Sequence, residues 1–557
     1  MRKKFFAIIL VVAVLLSGCI GQAPEEEEKE MIFIFGSSGD AVRLDPADVT
    51  DGESIQRMDN IHEGLVSYVE ESTEIQPCLA ERWDISSNGL EFTFYLRKGV
   101  QFHGGFGEMT ADDVVFSFAR QYDGSHWFHE YGEWAYWGWM FYDVDYVQKI
   151  DDYTVKIVLS SPNASIMTSL AMFTVSIVSE KAAREYGEDY FANPVGTGPF
   201  EFVEWVRDDH ITLKAFDDYW GGRAQIDTLI FRVIPDTSAR LLALEKGEIH
   251  GMEYPNPDDL DRIEANPDLV LMAQPGMNTG YLAINSGWGY NDDNGNGVFD
   301  PGVETWVRTE GSEDPLMKVD VRKAIAHAIN KKELVENLYQ GTAVPAKTII
   351  PPLLFGYNDA IVDYEYNPEK AKQLLRDAGY PNGFKTTLWA MPVSRPYMFD
   401  PPKIAEAIQS YLAAVGIEAE IYSIDWGTYL EETEAGKHPM CLLGWTGDNG
   451  DPDNFINVLC GPNAAVIGAA GNVAFYNNWD VQELLTQALR TYDKNERIRL
   501  YKQAEALIHE DVPWIFLAHA TQLLVFRNNV HGYKLHPTSR KFFYPVWIED
   551  EGFAQTY

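Results

Sequence analysis

At 557 residues the chain is too long for one hydrophobic core, and about 150 residues per domain suggests three or so domains. Hydrophobic residues at 46% and charged residues at 23% are ordinary for a soluble globular protein, while 13% aromatics call for large cores or aromatic-lined pockets. The formal net charge of −40 excludes a nucleic-acid binder, because a phosphate backbone needs clustered Lys and Arg and no basic run follows residue 4.

The chain opens with Arg2, Lys3 and Lys4, then a short apolar stretch from Phe5 to Leu16. That stretch is too short and wrongly flanked for a spanning helix, and reads as a signal peptide over residues 1–19. It ends in Leu16-Ser17-Gly18-Cys19, which looks like a lipobox whose Cys19 thiol becomes lipidated. Residues 20–30 (IGQAPEEEEKE) read as an acidic, solvated tether. No later stretch approaches 18 apolar residues, so the expected mature body is soluble and held at the outer face of the cell membrane by its lipid alone.

MIFIFGSS (31–38) predicts a buried strand, and the alternation in EFTFYL (91–96) predicts another. Thr110 is placed as the N-cap of a helix, with Asp113 as its capping-box partner. The segment HWFHEYGEWAYWGWMFY (126–142) shows no clean period and is expected to fold into a local aromatic patch rather than line a pocket. His62, His103, His126 and His129 lack a ligand spacing and read as structural or surface residues. Strands follow at 153–159 and 229–234. A helix is predicted over 237–247, capped by Thr237 and closed by Gly247, and others over 319–338, 368–378, 401–414, 480–491 and 495–510. Alternation of strands and helices in the second half implies α/β lobes with mixed sheets.

By residue 120 the chain has shown LAERWDISSNGLEFTFYLRKGVQFHGG followed by TADDVVFSFAR. NPVGTGPF (193–200), KAFDDYWGG (214–222), IDTLIFRVIPD (226–236), YPNPDDL (254–260), VRKAIAHAIN (321–330), IPPLLFGYND (350–359) and YNPEKAKQLLRDAG (366–379) follow. Together they resemble the large solute-binding family that serves peptide and nickel ABC importers. LWAMPVSRPY (388–397) and GWTGDNGDPDNF (444–455) resemble its dipeptide-binding subgroup. The resemblance implies a type II periplasmic-binding-protein fold, with two hinged α/β lobes and an additional domain. The expected division is 31–70, 200–283 and 515–557 for the first lobe, 71–199 for the additional domain and 284–514 for the second lobe. It also implies the membrane and ATPase subunits of an importer as partners, and a monomer is expected.

A free dipeptide is a zwitterion, and enclosing it strips water from two charges unless each is paired. In similar dipeptide binders the residue matching Arg395 clamps the ligand carboxylate and the one matching Asp448 holds the ammonium. A planar guanidinium suits the first task because its fork makes two parallel bonds. Main-chain contacts are expected from Gly39 and Gly447, and Trp445, Tyr397 and Trp389 are candidate walls. Longer oligopeptides or an oligosaccharide in the same fold are the first alternative. A secreted hydrolase is the second, but no HExxH, GxSxG or Cys/His constellation is visible.

Residues 287–315 look like an acidic insertion relative to such binders. Asp292, Asn294, Asn296, Gly297 and Asp300 follow the D-x-N-x-N-G-x-x-D spacing of calcium loops, although Val303 stands at position 12 and Glu304 follows. A structural calcium is the only cofactor the sequence suggests, and none is required. The remaining cysteines Cys78, Cys441 and Cys460 are odd in number, and a Cys441–Cys460 bridge is the pairing considered.

Overall fold

The computed structural model describes residues 30–549. The first predicted strand forms over Ile32–Ser37 and lies inside a sheet, parallel to both Thr228–Val233 and Gly251–Glu253. Phe33 and Phe35 alternate onto one face and pack with Phe231, Phe526 and Phe543. The sheet then runs without interruption into a second half made of Asn278–Ile284, Met440–Thr446, Phe384–Trp389 and Ile417–Tyr422. Parallel and antiparallel pairs are mixed in both halves, as the alternation of strands and helices implied.

One strand joins the two halves. Trp514–Arg527 pairs through its second part with Gly251–Glu253 and Leu269–Pro275, and through its first part with Asn278–Ile284 and Ala343–Pro345. At the changeover the Asn278 amide donates to the Ala520 carbonyl and accepts from its N–H, both at 2.9 Å, supplying backbone partners where the ladder shifts. Strand Asn278–Ile284, which the sequence reading put in the first lobe up to residue 283, pairs in the second half.

Between residues 71 and 199 lies a separate four-stranded antiparallel sheet: Ala80–Ile85, Glu91–Leu96, Thr154–Leu159 and Val144–Asp151. Phe92, Phe94 and Leu96 point inward and their neighbours outward, matching the alternation in the sequence. Helix Ala111–Tyr122 starts where predicted, and the Thr110 N–H donates to Asp113 at 3.0 Å. Its Arg120 ties this unit to the first lobe through a two-pronged buried bond to Asp45, at 2.5 and 2.7 Å. That fork geometry offsets the cost of taking both charges out of water.

Three expectations are corrected. The helix predicted over 319–338 is two, Val319–Ala328 and Lys331–Leu338, because Ile329 is extended and the Asn330 side chain caps a new start by accepting from the Glu333 N–H. The N-cap of the helix Thr237–Glu245 is Asp236, whose carboxylate accepts from the Ala239 N–H at 2.7 Å. Cys78, Cys441 and Cys460 are free and buried, so Cys441 and Cys460 are not bridged. Among the described residues no helix is long and apolar enough to cross a membrane, and the signal segment with Cys19 lies outside them.

Candidate functional site

Between the two halves and the four-stranded unit lies a cavity of about 540 Å³, whose walls include Arg395, Tyr397, Trp445 and Asp448. Arg395 sits in a tight reversal after strand Phe384–Trp389, where its N–H and carbonyl bond Met398 at 2.9 and 3.0 Å. Its guanidinium is buried, pairs with Glu53 of helix Gly52–Ile61 on the opposite lobe, and lies 4.0 Å from the ring centroid of Trp426. Burial works against the Arg395 charge, but Glu53 together with Tyr397, Tyr254 and Asp51 outweighs it and the pKa is raised. Burial likewise raises the Glu53 carboxyl while Arg395 opposes it. Arg395 Nη2 has no hydrogen-bond partner among the described residues.

Asp448 follows strand Met440–Thr446 on a loop closed by Asn454. Its Oδ2 accepts from Tyr136 Oη at 2.9 Å and from Asn454 Nδ2 at 3.1 Å. Its N–H donates to Asn454 Oδ1 at 2.8 Å, and its carbonyl accepts from Tyr68 Oη at 2.9 Å. Burial dominates its pKa and pushes the carboxyl up to about 7, although the bonds from Asn454 and Tyr136 act the other way. An opposed cation and anion, each desolvated and each fixed on its own loop, suit a ligand carrying both charges.

The walls are only partly those expected. Tyr397 is pressed against strand backbone, and a Cβ at Gly444 would lie 2.3 Å from its ring, so only glycine fits there. Trp445 donates to Asn454 Oδ1 at 3.1 Å and meets Trp139 edge to face at 6.1 Å. Trp389 instead packs in the lobe interior on Tyr422, Tyr429 and His438, away from the cavity lining. Gly447 is also outside the lining; it donates to the Met277 carbonyl and faces the Phe455 ring. Gly39 lies behind the ion pair, its carbonyl taken by Arg57 at 3.1 Å.

The aromatic segment does line the pocket in part. Tyr136 and Trp139 face the cavity, while Phe128, Trp134 and Trp137 pack locally. Sequence reasoning missed Glu53 and Tyr68, for which no local signal exists; Tyr136 and Asn454 lay within quoted segments but were not singled out. In the insertion, Asp292 accepts from the Gly297 N–H at 2.7 Å and the Asn296 N–H at 3.2 Å. Asn294 and Asn296 accept from backbone N–H groups two residues on, and Asp300 from that of Gly302. Glu304 is buried; its Oε2 accepts from the Asp300 N–H at 2.6 Å and its Oε1 has no hydrogen-bond partner among the described residues. Among the described residues no group of three or more His, Cys, Asp or Glu side chains is placed to hold a metal.

Residues 74–465 match the model of the bacterial extracellular solute-binding proteins, family 5. The chain belongs to that family. Membership places it outside the cytoplasm, among proteins that hold solutes rather than transform them. It is 38% identical over 535 residues to the dipeptide-binding protein of Escherichia coli, covering 93% of this chain and 94% of that one. It is 35% identical over 573 residues to heme-binding protein A of Haemophilus influenzae, covering 99% and 100%. The ABC transporter-associated periplasmic binding protein DppA of Helicobacter pylori, solved with the peptide STSA, superposes with a TM-score of 0.85 at 36% identity, covering 93% of this chain and 98% of that one. The two-lobed fold is therefore the type II periplasmic-binding-protein architecture that the sequence implied.

Proposed function

We propose that the chain captures dipeptides and delivers them to an ABC importer. The observation that carries this reading is the pair of buried, opposite charges in the cavity, Arg395 and Asp448, within the stretch 74–465 that matches the family. In this reading Arg395 Nη2 takes the peptide carboxylate while Glu53 steadies the other end of the fork. Asp448 takes the ammonium, held in place by Tyr136 and Asn454. A haem would have little use for such a pair, whereas a peptide of three or four residues keeps both termini. The tetrapeptide held by the Helicobacter pylori protein makes that the second reading.

Calorimetry on the protein lacking residues 1–30 tests both, with Gly-Leu, its amidated form, and matching tri- and tetrapeptides. Free dipeptide is expected to bind tightly, and Arg395→Ala or Asp448→Ala to weaken it by about 2–5 kcal/mol. Equal binding by the amide, or by either variant, would remove the clamp. Tighter binding of the tetrapeptide would favour the second reading.

The protein is held at the membrane by lipid on Cys19, supported by the Leu16–Cys19 motif, and labelling with radioactive palmitate that survives Cys19→Ala would refute this. The insertion binds a structural calcium through Asp292, Asn294, Asn296 and Asp300. Glu304 stands in for the absent position-12 carboxylate, its unpartnered buried oxygen supporting the assignment.

A further inference from the structure

The cavity walls carry acids beyond Asp448; Glu70 is exposed to solvent, and all the others but one are engaged. Asp59 lies 3.7 Å from Arg540, and Glu71 lies 3.8 Å from Lys534. Asp51 caps helix Gly52–Ile61 by accepting from the Ser54 N–H. Glu63 accepts from Tyr219, Trp220 and Thr197 at 2.8–2.9 Å. Glu434 differs. Its carboxylate takes one long hydrogen bond, 3.4 Å from Thr50 Oγ of the opposite lobe, and has no ion pair among the described residues.

Its position adds to the imbalance. Glu434 ends helix Trp426–Glu434, whose first residue stacks on Arg395. Nine residues long, that helix extends about 13 Å from the carboxylate pole along the cavity wall. Its C-terminal carbonyls add partial negative charge at the Glu434 end. The same place is lined by Asp51, with Glu133, Glu431 and Asp48 close enough to disfavour a further negative charge. The group does not form a metal site among the described residues. What fits is an organic cation on the ligand.

We infer that Glu434 selects the peptide side chain, receiving the ammonium or guanidinium of a Lys or Arg residue and making the cavity favour basic over neutral or acidic dipeptides. The inference rests on the peptide reading above. A basic side chain converts a lone carboxylate into a charge-assisted pair; a neutral isostere leaves it unpaired, and an acidic one adds like charge. Burial, with Glu133, Glu431 and Asp48, pushes the Glu434 carboxyl up to about 8, so at pH 7 it is mostly protonated when unpaired. Pairing with a cation ionises it, and the proton leaves to buffer.

The test is calorimetry of Ala-Lys, Lys-Ala, Ala-Met, Met-Ala and Ala-Glu at pH 7, in two buffers of different ionisation enthalpy, on wild type and Glu434→Gln. At least one Lys peptide is expected to bind about tenfold tighter than its Met counterpart. It should also release more protons than that counterpart, and both differences should vanish in Glu434→Gln. The readout is the Lys-to-Met ratio, which a general weakening by the variant does not move. Equal affinities in wild type, or a ratio that survives in Glu434→Gln, overturns the inference alone. Failure of every dipeptide to bind removes the peptide reading and this one with it.

Discussion

At Asp448 two neutral donors, Tyr136 and Asn454, orient the carboxylate without supplying the charge it needs, and burial leaves its pKa near 7. A ligand ammonium favours the ionised form, so the carboxyl of the complex titrates lower than that of the free protein. Binding below pH 7 therefore expels a proton. Dipeptide affinity is expected to fall on acidification below pH 7, approaching tenfold per pH unit until the pKa of the complex is reached. The sign for stability is the reverse. Without peptide, a folded-state pKa raised from 3.8 to about 7 favours the folded protein in acid, and that contribution is lost as pH rises through this window. Calorimetric affinities of Gly-Leu between pH 5 and 8 check the first statement; an affinity independent of pH would contradict it. The residual affinity of Asp448→Asn is expected to be flat over the same range.

At the scale of elements, what the sequence made legible was local. Alternation placed strand Glu91–Leu96, and the Thr110–Asp113 pair placed the start of helix Ala111–Tyr122. Asn330 carried a cap signal strong enough to split the helix predicted over 319–338, but it sat within a continuous helical pattern. Trp389 was misread because strand Phe384–Trp389 lies between two others and buries both faces near its end, so an aromatic there signals packing rather than a wall. Glu53 and Tyr136 reach the site from segments hundreds of residues away, and only the chain's long-range pairing brings them to Arg395 and Asp448. The insertion shows how far a local motif carries. Asp292 closes on the Gly297 N–H as the spacing predicts, and Glu304 turns back into the loop one position late. If calcium completes it, saturating metal at a hundredfold excess over Kd stabilises the folded chain by about 2.7 kcal/mol. Scanning calorimetry after chelation and readdition is expected to show that rise, absent in Asp292→Ala; identical transitions with and without calcium would leave the loop as an Asx-rich turn.

Over the whole molecule, the two lobes touch through few polar contacts, and several of them line the cavity or adjoin Arg395. Arg395 meets Glu53, Ser38 Oγ donates to the Ser394 carbonyl at 3.4 Å, and Thr50 reaches Glu434. Strand continuity across Asn278 and Ala520 keeps the lobes in register while leaving a narrow connection about which they can swing. A peptide held by Arg395 and Asp448, both on the second lobe, that also reaches first-lobe wall residues such as Tyr68 and Tyr254 adds bonds that exist only when the lobes are together, so it draws the population toward the closed form. Glu53 does part of that work without ligand, because its charge sits on one lobe and the guanidinium on the other. Glu53→Gln is therefore expected to shift the peptide-free protein toward an open form, with a larger radius of gyration by small-angle X-ray scattering than wild type. Saturating dipeptide should contract both proteins, the variant more, because it starts from the more open form. If neither protein contracts on binding, hinge closure is not the response to the ligand, and the importer must recognise the loaded protein by another feature.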